Sequence, residues 1–276
     1  MMAMTSRPSD TYTHGHHPAV VGMHALRTAE NSAGFLLPHL REGDRLLDVG
    51  CGPGTITVDL ARRLGSGSVL GIDSVPGVID QAARHVTNSG VTNVEVRLGD
   101  VYALDLPDAC VDVVYAHQVL QHLTEPVAAL VEMRRVVKPG GLIAVRDSDY
   151  ATMVHAPPFA ALGRWLELHH EVTRRNGVEA DAGRYLLGWC RAAGLEPVQV
   201  TSETTTYGDA EGRAIWGEGW AVRVTDSAFS TQAIGYGVTT REELADIAAA
   251  FRSWAAHDDG FWAFLHGEVI ARRPMS

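Results

Sequence analysis

The sequence predicts an α/β protein built on a parallel sheet, and three observations predict it. From Arg45 onward, short apolar runs alternate with longer amphipathic stretches, the pattern of βα units. One such run, Leu46-Leu47-Asp48-Val49, ends in alternate glycines at Gly50, Gly52 and Gly54 directly before a helical stretch. Short acids stand near the ends of the first three predicted strands, at Asp48, Asp73 and Asp100.

In chain order, the predicted strands are Arg45 to Val49, Ser68 to Ile72, Val94 to Leu98, Val111 to Ala116 and Leu142 to Arg146. Thr55 to Leu64 and Pro76 to Thr87 read as helices between the first three. Pro126 to Val137 opens on a proline suited to a first helical turn and gathers Val127, Leu130, Val131 and Val137 on one side. It stops at Lys138-Pro139-Gly140-Gly141. Further on, Asp181 to Ala193 has Leu186, Cys190 and Ala193 at helical spacing, and Glu196 to Thr206 is rich in β-branched residues and reads as a strand. Glu242 to Ala256 reads as an amphipathic helix and Phe261 to Ala271 as a final strand.

Two segments have no place in the alternation, 151–180 and 208–238, and they carry Trp165, Trp216, Trp220 and Phe229. They are expected as cap insertions over the C-terminal edge of the sheet, where open α/β folds bind ligands. With no internal repeat or low-complexity linker, residues 1–276 are expected as one domain: an N-terminal arm over 1–40, a core over 41–147, and the two insertions.

Composition narrows the function. Of 276 residues, 46% are hydrophobic and 20% charged, which fits an ordered globular chain. Lys and Arg total 23 against 33 Asp and Glu, a net charge of −10 that argues against nucleic acid as a partner. Cys51, Cys110 and Cys190 include no CxxC pair, so neither a disulfide framework nor a zinc knuckle is expected. The adjacent pairs His16-His17 and His169-His170 lack the i, i+4 spacing of a helical zinc site, and no metal is expected. No apolar run approaches the roughly 20 residues that cross a bilayer, and the first thirty residues contain no signal-peptide h-region. A cytoplasmic protein without membrane insertion is the expectation, and a homodimer is compatible with it.

The glycine loop is the most informative segment. Glycines there permit positive φ and clear the path of a ligand, although a tight turn without a ligand is the plainer alternative. A dinucleotide loop of the form GxGxxG requires glycine at position 55, which is Thr55, and a carboxylate at Asp48 is unwelcome beside a pyrophosphate. The same carboxylate favours an ammonium or sulfonium group. Asp73, 23 residues past Gly50, stands where an acid accepts ribose hydroxyls. Asp100 and Val101 can take an adenine edge.

The blocks LLDVGCGPGT, GIDSV, GDVYALDLPD, VDVVYAHQVLQHL and RRVVKPGG, in that order over about residues 40 to 147, resemble class I S-adenosylmethionine-dependent methyltransferases. They are similar in particular to the ubiquinone and menaquinone biosynthesis C-methyltransferase group. The resemblance implies a Rossmann-like seven-stranded, mostly parallel sheet with helices on both faces and the last strand antiparallel. It implies S-adenosylmethionine over Gly50, Gly52 and Gly54, ribose at Asp73 with Ser74 beside it, adenine at Asp100 and Val101, and the methionyl ammonium near Gly50 and His117. The arm from Tyr12 to Asn31 looks like the capping arm of some members, with Tyr12 as its aromatic and Arg27 as the bidentate partner of the methionyl carboxylate.

A sulfonium is already an activated methyl donor, so transfer to a small-molecule acceptor needs alignment above all. A base would assist an acceptor that must lose a proton, and His117 and His122 flank the end of the fourth strand. They are five residues apart, and His117 is the better placed. Asp147, Asp149 and Tyr150 are further pocket candidates. Two other functions remain open: a non-catalytic S-adenosylmethionine-binding regulator, and a nicotinamide-dependent oxidoreductase.

Overall fold

The computed structural model describes residues 10–13 and 27–275. His14, His16 and His17 of the arm lie outside the described residues. The elements begin with α1 (Ala29–Ala33), whose Thr28 side chain accepts the Asn31 amide in a capping box. A 3-10 turn follows at Leu37–His39, then β1 (Arg45–Val49), α2 (Thr55–Leu64), β2 (Ser68–Asp73), α3 (Pro76–Ser89), β3 (Val94–Leu98) and β4 (Val111–His117). A second 3-10 turn at Leu120–His122 leads to α4 (Pro126–Val136) and β5 (Val137–Ala156). The C-terminal part holds α5 (Ala160–Arg175), a 3-10 turn at Ala182–Arg184, α6 (Leu186–Ala192), β6 (Glu196–Tyr207), α7 (Ala210–Asp226), α8 (Ala228–Gly235), α9 (Arg241–Ala255) and β7 (Phe261–Arg272).

The seven strands lie in the order β3-β2-β1-β4-β5-β7-β6. β3, β2, β1, β4 and β5 run parallel, whereas β7 is antiparallel to both β5 and β6. The inner strands are apolar on both faces because both faces are covered. Leu46 packs with α2 on one side, and Leu47, next in the chain, packs with α4 and α6 on the other. The strand order reverses at β1, so the loops after β1 and β4 diverge and leave a crevice between them.

Three local readings need correction. The buried face of α4 is Ala129, Leu130, Met133 and Val136, while Val131 is 47% exposed and Val137 already belongs to β5. The strand after α4 starts at Val137 rather than Leu142, because Val137 pairs with Val111 before the register shifts. Arg273 explains why the Lys138-Pro139-Gly140-Gly141 stretch stays on the sheet: its guanidinium donates to the carbonyls of Arg134, Arg135 and Val137 at the end of α4. Thirdly, Asp181 to Ala193 is not one helix. It breaks into a 3-10 turn and α6, with Gly183 wedged so closely against Asp147 and Gly267 that a Cβ there would lie 2.8 and 2.9 Å from their backbones.

The third hydrophobic cluster lies in the C-terminal half. Trp165 of α5, Trp220 of α7, Phe251 and Trp254 of α9 and Trp262 of β7 are each buried there. Trp165 and Trp220 meet edge to face at 4.4 Å, the geometry that aromatic quadrupoles favour. α9, expected apart from the insertions, packs against α7 and α5 in this same cluster. Residues 151–156 extend β5 instead of leaving the sheet. Between Asp149 and Val154 the β5–β7 register shifts, and this bulge turns Tyr150 into the aromatic cluster. No helix among the described residues is long and apolar enough to cross a membrane.

Candidate active site

Two adjoining cavities open at the C-terminal ends of the parallel strands. The larger, about 590 Å³, is lined by the loops after β1, β2, β3 and β4. Every sequence-predicted cofactor residue except Gly54 lines it: Tyr12, Arg27, Asp48, Gly50, Gly52, Asp73, Ser74, Asp100, Val101 and His117. His122 lines it as well.

Its floor is shaped by backbone. The amides of Gly50 and Cys51 both donate to the Ile72 carbonyl, at 2.8 and 2.9 Å, which pins the loop to β2. All three glycines have positive φ. Their further duties differ: a Cβ on Gly50 would stand 2.4 Å from Val119 Cγ2, whereas one on Gly52 would meet nothing within 4 Å and would face open space. Gly54 is the left-handed N-cap of α2 and does not line the cavity.

The acids are held by local hydrogen bonds. Asp73 accepts the amides of Gly52 (3.2 Å) and Val75 (3.1 Å), so this carboxylate also organises the glycine loop. Asp100 accepts the Tyr102 amide at 2.9 Å. Asp48 is 3% exposed, and burial pushes its carboxyl up to about 7 against the opposing hydrogen bond donated by Thr57 at 2.6 Å. A cation placed beside it restores the ionised form.

The smaller cavity, about 290 Å³, shares Tyr12, Arg27, His117, Gln118 and His122 with the larger and continues beneath α7. Its walls include Tyr150, Tyr207, Trp216, Trp220 and Phe264, and its polar groups include Arg146, Arg223 and His266. Tyr12 stands edge to face with His122 at 4.6 Å. The neighbouring Asp10 carboxylate accepts both the amide and the hydroxyl of Thr124, and Asn176 donates to the Thr13 hydroxyl, so this stretch is clasped from both sides.

His117 closes β4, is 6% exposed and lies between the rings of Tyr115 (6.4 Å) and His266 (6.2 Å). His122 ends the following 3-10 turn, and the reversal between them brings both rings to the junction despite their spacing. Tyr150 is likewise in the smaller cavity. Asp147 and Asp149, expected there as pocket candidates, line neither cavity. Asp147 accepts the Gln121 amide, and Asp149 is paired with Arg184 at 2.5 and 2.6 Å.

The sequence reading missed the residue at the centre. Gln118 is one of two described non-glycine residues with positive φ, +54°, a strained conformation of the kind found at functional sites. Its Oε1 accepts from the Arg27 guanidinium, and its Nε2 donates to Ser148 Oγ and His266 Nε2, each at 2.9 Å. His266 therefore carries its proton on Nδ1, facing the Thr205 hydroxyl at 3.2 Å. Burial and the charges of Arg146 and Arg27 hold His266 well below the usual histidine range, in keeping with a neutral ring. Arg146, Arg223 and His266 were missed too, since they lie on β5, α7 and β7 with no shared motif.

Known proteins resemble this chain in sequence and in fold. The model of a family described as methyltransferase domain matches residues 40–190. An uncharacterized methyltransferase of Schizosaccharomyces pombe is 30% identical over 97% of this chain and 99% of its own length. A ubiquinone biosynthesis O-methyltransferase of Cereibacter sphaeroides is 40% identical over 37% of this chain and 40% of its own. Among solved structures, a SAM-dependent methyltransferase from Methanosarcina mazei shares the fold with a TM-score of 0.56 and 17% identity, over 88% of this chain and 98% of that one. The full-length similarity and the family match together decide between the open classes: this chain belongs to the methyltransferase domain family.

Proposed function

We propose that the protein transfers a methyl group from S-adenosylmethionine, held in the larger cavity, to a small organic acceptor held in the smaller one. The observation that carries this reading is the shared boundary at Tyr12, Arg27, His117, Gln118 and His122. The larger cavity suits the donor: Gly52 leaves space where any side chain would intrude, and Asp73 and Asp100 face that space from adjacent strand ends.

In this reading Asp73, with Ser74 beside it, takes the ribose hydroxyls, and Asp100 with Val101 takes the adenine edge. Tyr12 and Arg27 close over the methionyl end near Gly50, and Asp48 answers the positive charge. When bound, the donor supplies a methyl group activated by its sulfonium, so direct in-line displacement needs mainly proximity and orientation. The chain aligns the acceptor against the junction and excludes water with segment 208–238, where α7 and α8 form the lid. His117 is the first candidate to hold a proton from the acceptor, and His122 the second.

Titration calorimetry with S-adenosylmethionine and S-adenosylhomocysteine tests the donor half, with micromolar affinity expected, about −8 kcal/mol. Methyl-labelled donor incubated with a metabolite extract tests the transfer half. Absence of saturable binding by either nucleoside overturns the reading.

A further inference from the structure

Arg223 points to the chemistry of the acceptor, in an inference that rests on the proposed methyl transfer. The residue sits on α7, is 6% exposed, and lines only the smaller of the two cavities. Its guanidinium makes no hydrogen bond and no ion pair among the described residues, and its buried Nε has no partner. What it does touch is the face of Trp220, with Cζ 4.9 Å from the ring centroid.

The surroundings leave this charge uncompensated. Of the arginines on the cavity, Arg146 is paired with Glu203 at 3.1 Å and Glu268 at 3.2 Å. Arg27 donates to the neutral amide of Gln118. No aspartate or glutamate among the described residues lines the cavity. The phenols of Tyr150, Tyr12 and Tyr207 lie within electrostatic reach of Arg223, as do the Arg27 guanidinium and the His169 ring, and none of these is an anion. A buried cation without a counter-ion is costly, and the cost is recovered when an anion arrives. Arginine answers a carboxylate with two parallel N–H donors, and the walls of Tyr150, Tyr207, Trp216 and Phe264 offer flat apolar surface to the rest of the molecule.

We propose that the acceptor is a small planar organic acid whose carboxylate pairs with Arg223 while its reactive atom faces the junction at His117 and Gln118. The donor's own carboxylate is the rival counter-ion. Arg223 does not line the donor cavity, whereas Arg27 lines both.

The probes are benzoate and its neutral isostere benzamide, titrated into protein saturated with S-adenosylhomocysteine. Benzoate is expected to bind at least tenfold more tightly than benzamide. Arg223→Met should abolish that preference, leave S-adenosylhomocysteine affinity within twofold, and raise the Tm by removing an unpaired buried charge. Arg223→Lys should retain the preference in part, which covers the case of a Met variant that folds poorly. Equal binding of the two probes to the wild-type protein, or a preference that survives in Arg223→Met, overturns the proposal. A collapse of S-adenosylhomocysteine affinity in both variants would also overturn it, by assigning Arg223 to the donor. Failure of wild-type protein to bind S-adenosylhomocysteine at all instead removes the methyl-transfer reading underneath.

Discussion

The two cavities share a wall and differ in almost everything else. The larger is built from backbone amides, glycines and short acids on consecutive strand-end loops, with Asp10, Asp48, Asp73 and Asp100 among its lining groups. The smaller has arginines and aromatic rings drawn from Tyr12 to His266, and no acid among the described residues. The first suits a ligand with hydroxyls and a positive centre. The second suits a flat ligand with a negative one. Complementary fields of this kind orient two reactants before they touch, which is how a site gains rate from alignment.

The largest effect expected is on the smaller cavity's wall. Trp220→Ala removes a fully buried ring that contacts Trp165 and Phe251, and should lower stability by about 3 to 5 kcal/mol. If the cavities are separate in function, calorimetry will show S-adenosylhomocysteine affinity unchanged in the folded variant, while acceptor KM rises. A Tm loss with unaltered acceptor selectivity would reduce Trp220 to a core residue and remove it from the lid.

On the donor side, Asp73→Ala should weaken S-adenosylhomocysteine binding by about 2 to 4 kcal/mol, through lost ribose bonds to a charged acceptor. The structure sharpens this, because Asp73 also holds the Gly52 amide. Asp73→Asn, which keeps one acceptor oxygen, should therefore lose less. Equal losses in the two variants would place the whole effect in charge, and unchanged affinity in both would reject Asp73 as the ribose acid.

The boundary comes next. His117→Ala should lower turnover about a hundredfold, with donor affinity within a few-fold, if His117 holds the acceptor's proton. Collapse of donor affinity instead would move His117 wholly into the donor site, and a silent variant would transfer the role to His122.

The smallest effect lies outside both cavities. Burial pushes the Asp147 carboxyl up to about 8, against an unfolded value near 3.9. Between these values the folded chain retains a proton that the unfolded chain has released, so stability falls as pH rises through that window and levels off above it. Asp147→Asn should remove this fall, worth at most about 1.4 kcal/mol between pH 6.5 and 7.5, in urea titrations. A residual slope of the same sign belongs to Asp48, pushed up to about 7. An unchanged slope would show that Asp147 is ionised in the fold.

The comparison also explains what could be read without coordinates. Residues from Arg45 to Val101 follow one another along alternating elements, so local pattern was enough to place Gly50, Gly52, Asp73 and Asp100 around one space. The α4 face was misread because helical spacing alone did not separate Val131, which faces solvent, from Met133, which is buried. Asp147 and Asp149 looked like pocket acids because they follow a strand end, and nothing in their neighbourhood reveals the Gln121 amide or Arg184 that occupy them.

By itself the sequence determined the parallel core, the glycine turn and the acids that follow it, because each depends on neighbours within a few residues and on the period of the strand or helix. Much of the smaller cavity was decided only in three dimensions. Tyr150 reaches it through a register shift between β5 and β7, Gln118 through a left-handed backbone at the end of β4, and Arg223 through the packing of α7 over the sheet. A buried charge declares itself only by the partners it lacks, and partners brought from 27, 146, 223 and 266 have no common pattern along the chain until the fold closes around them.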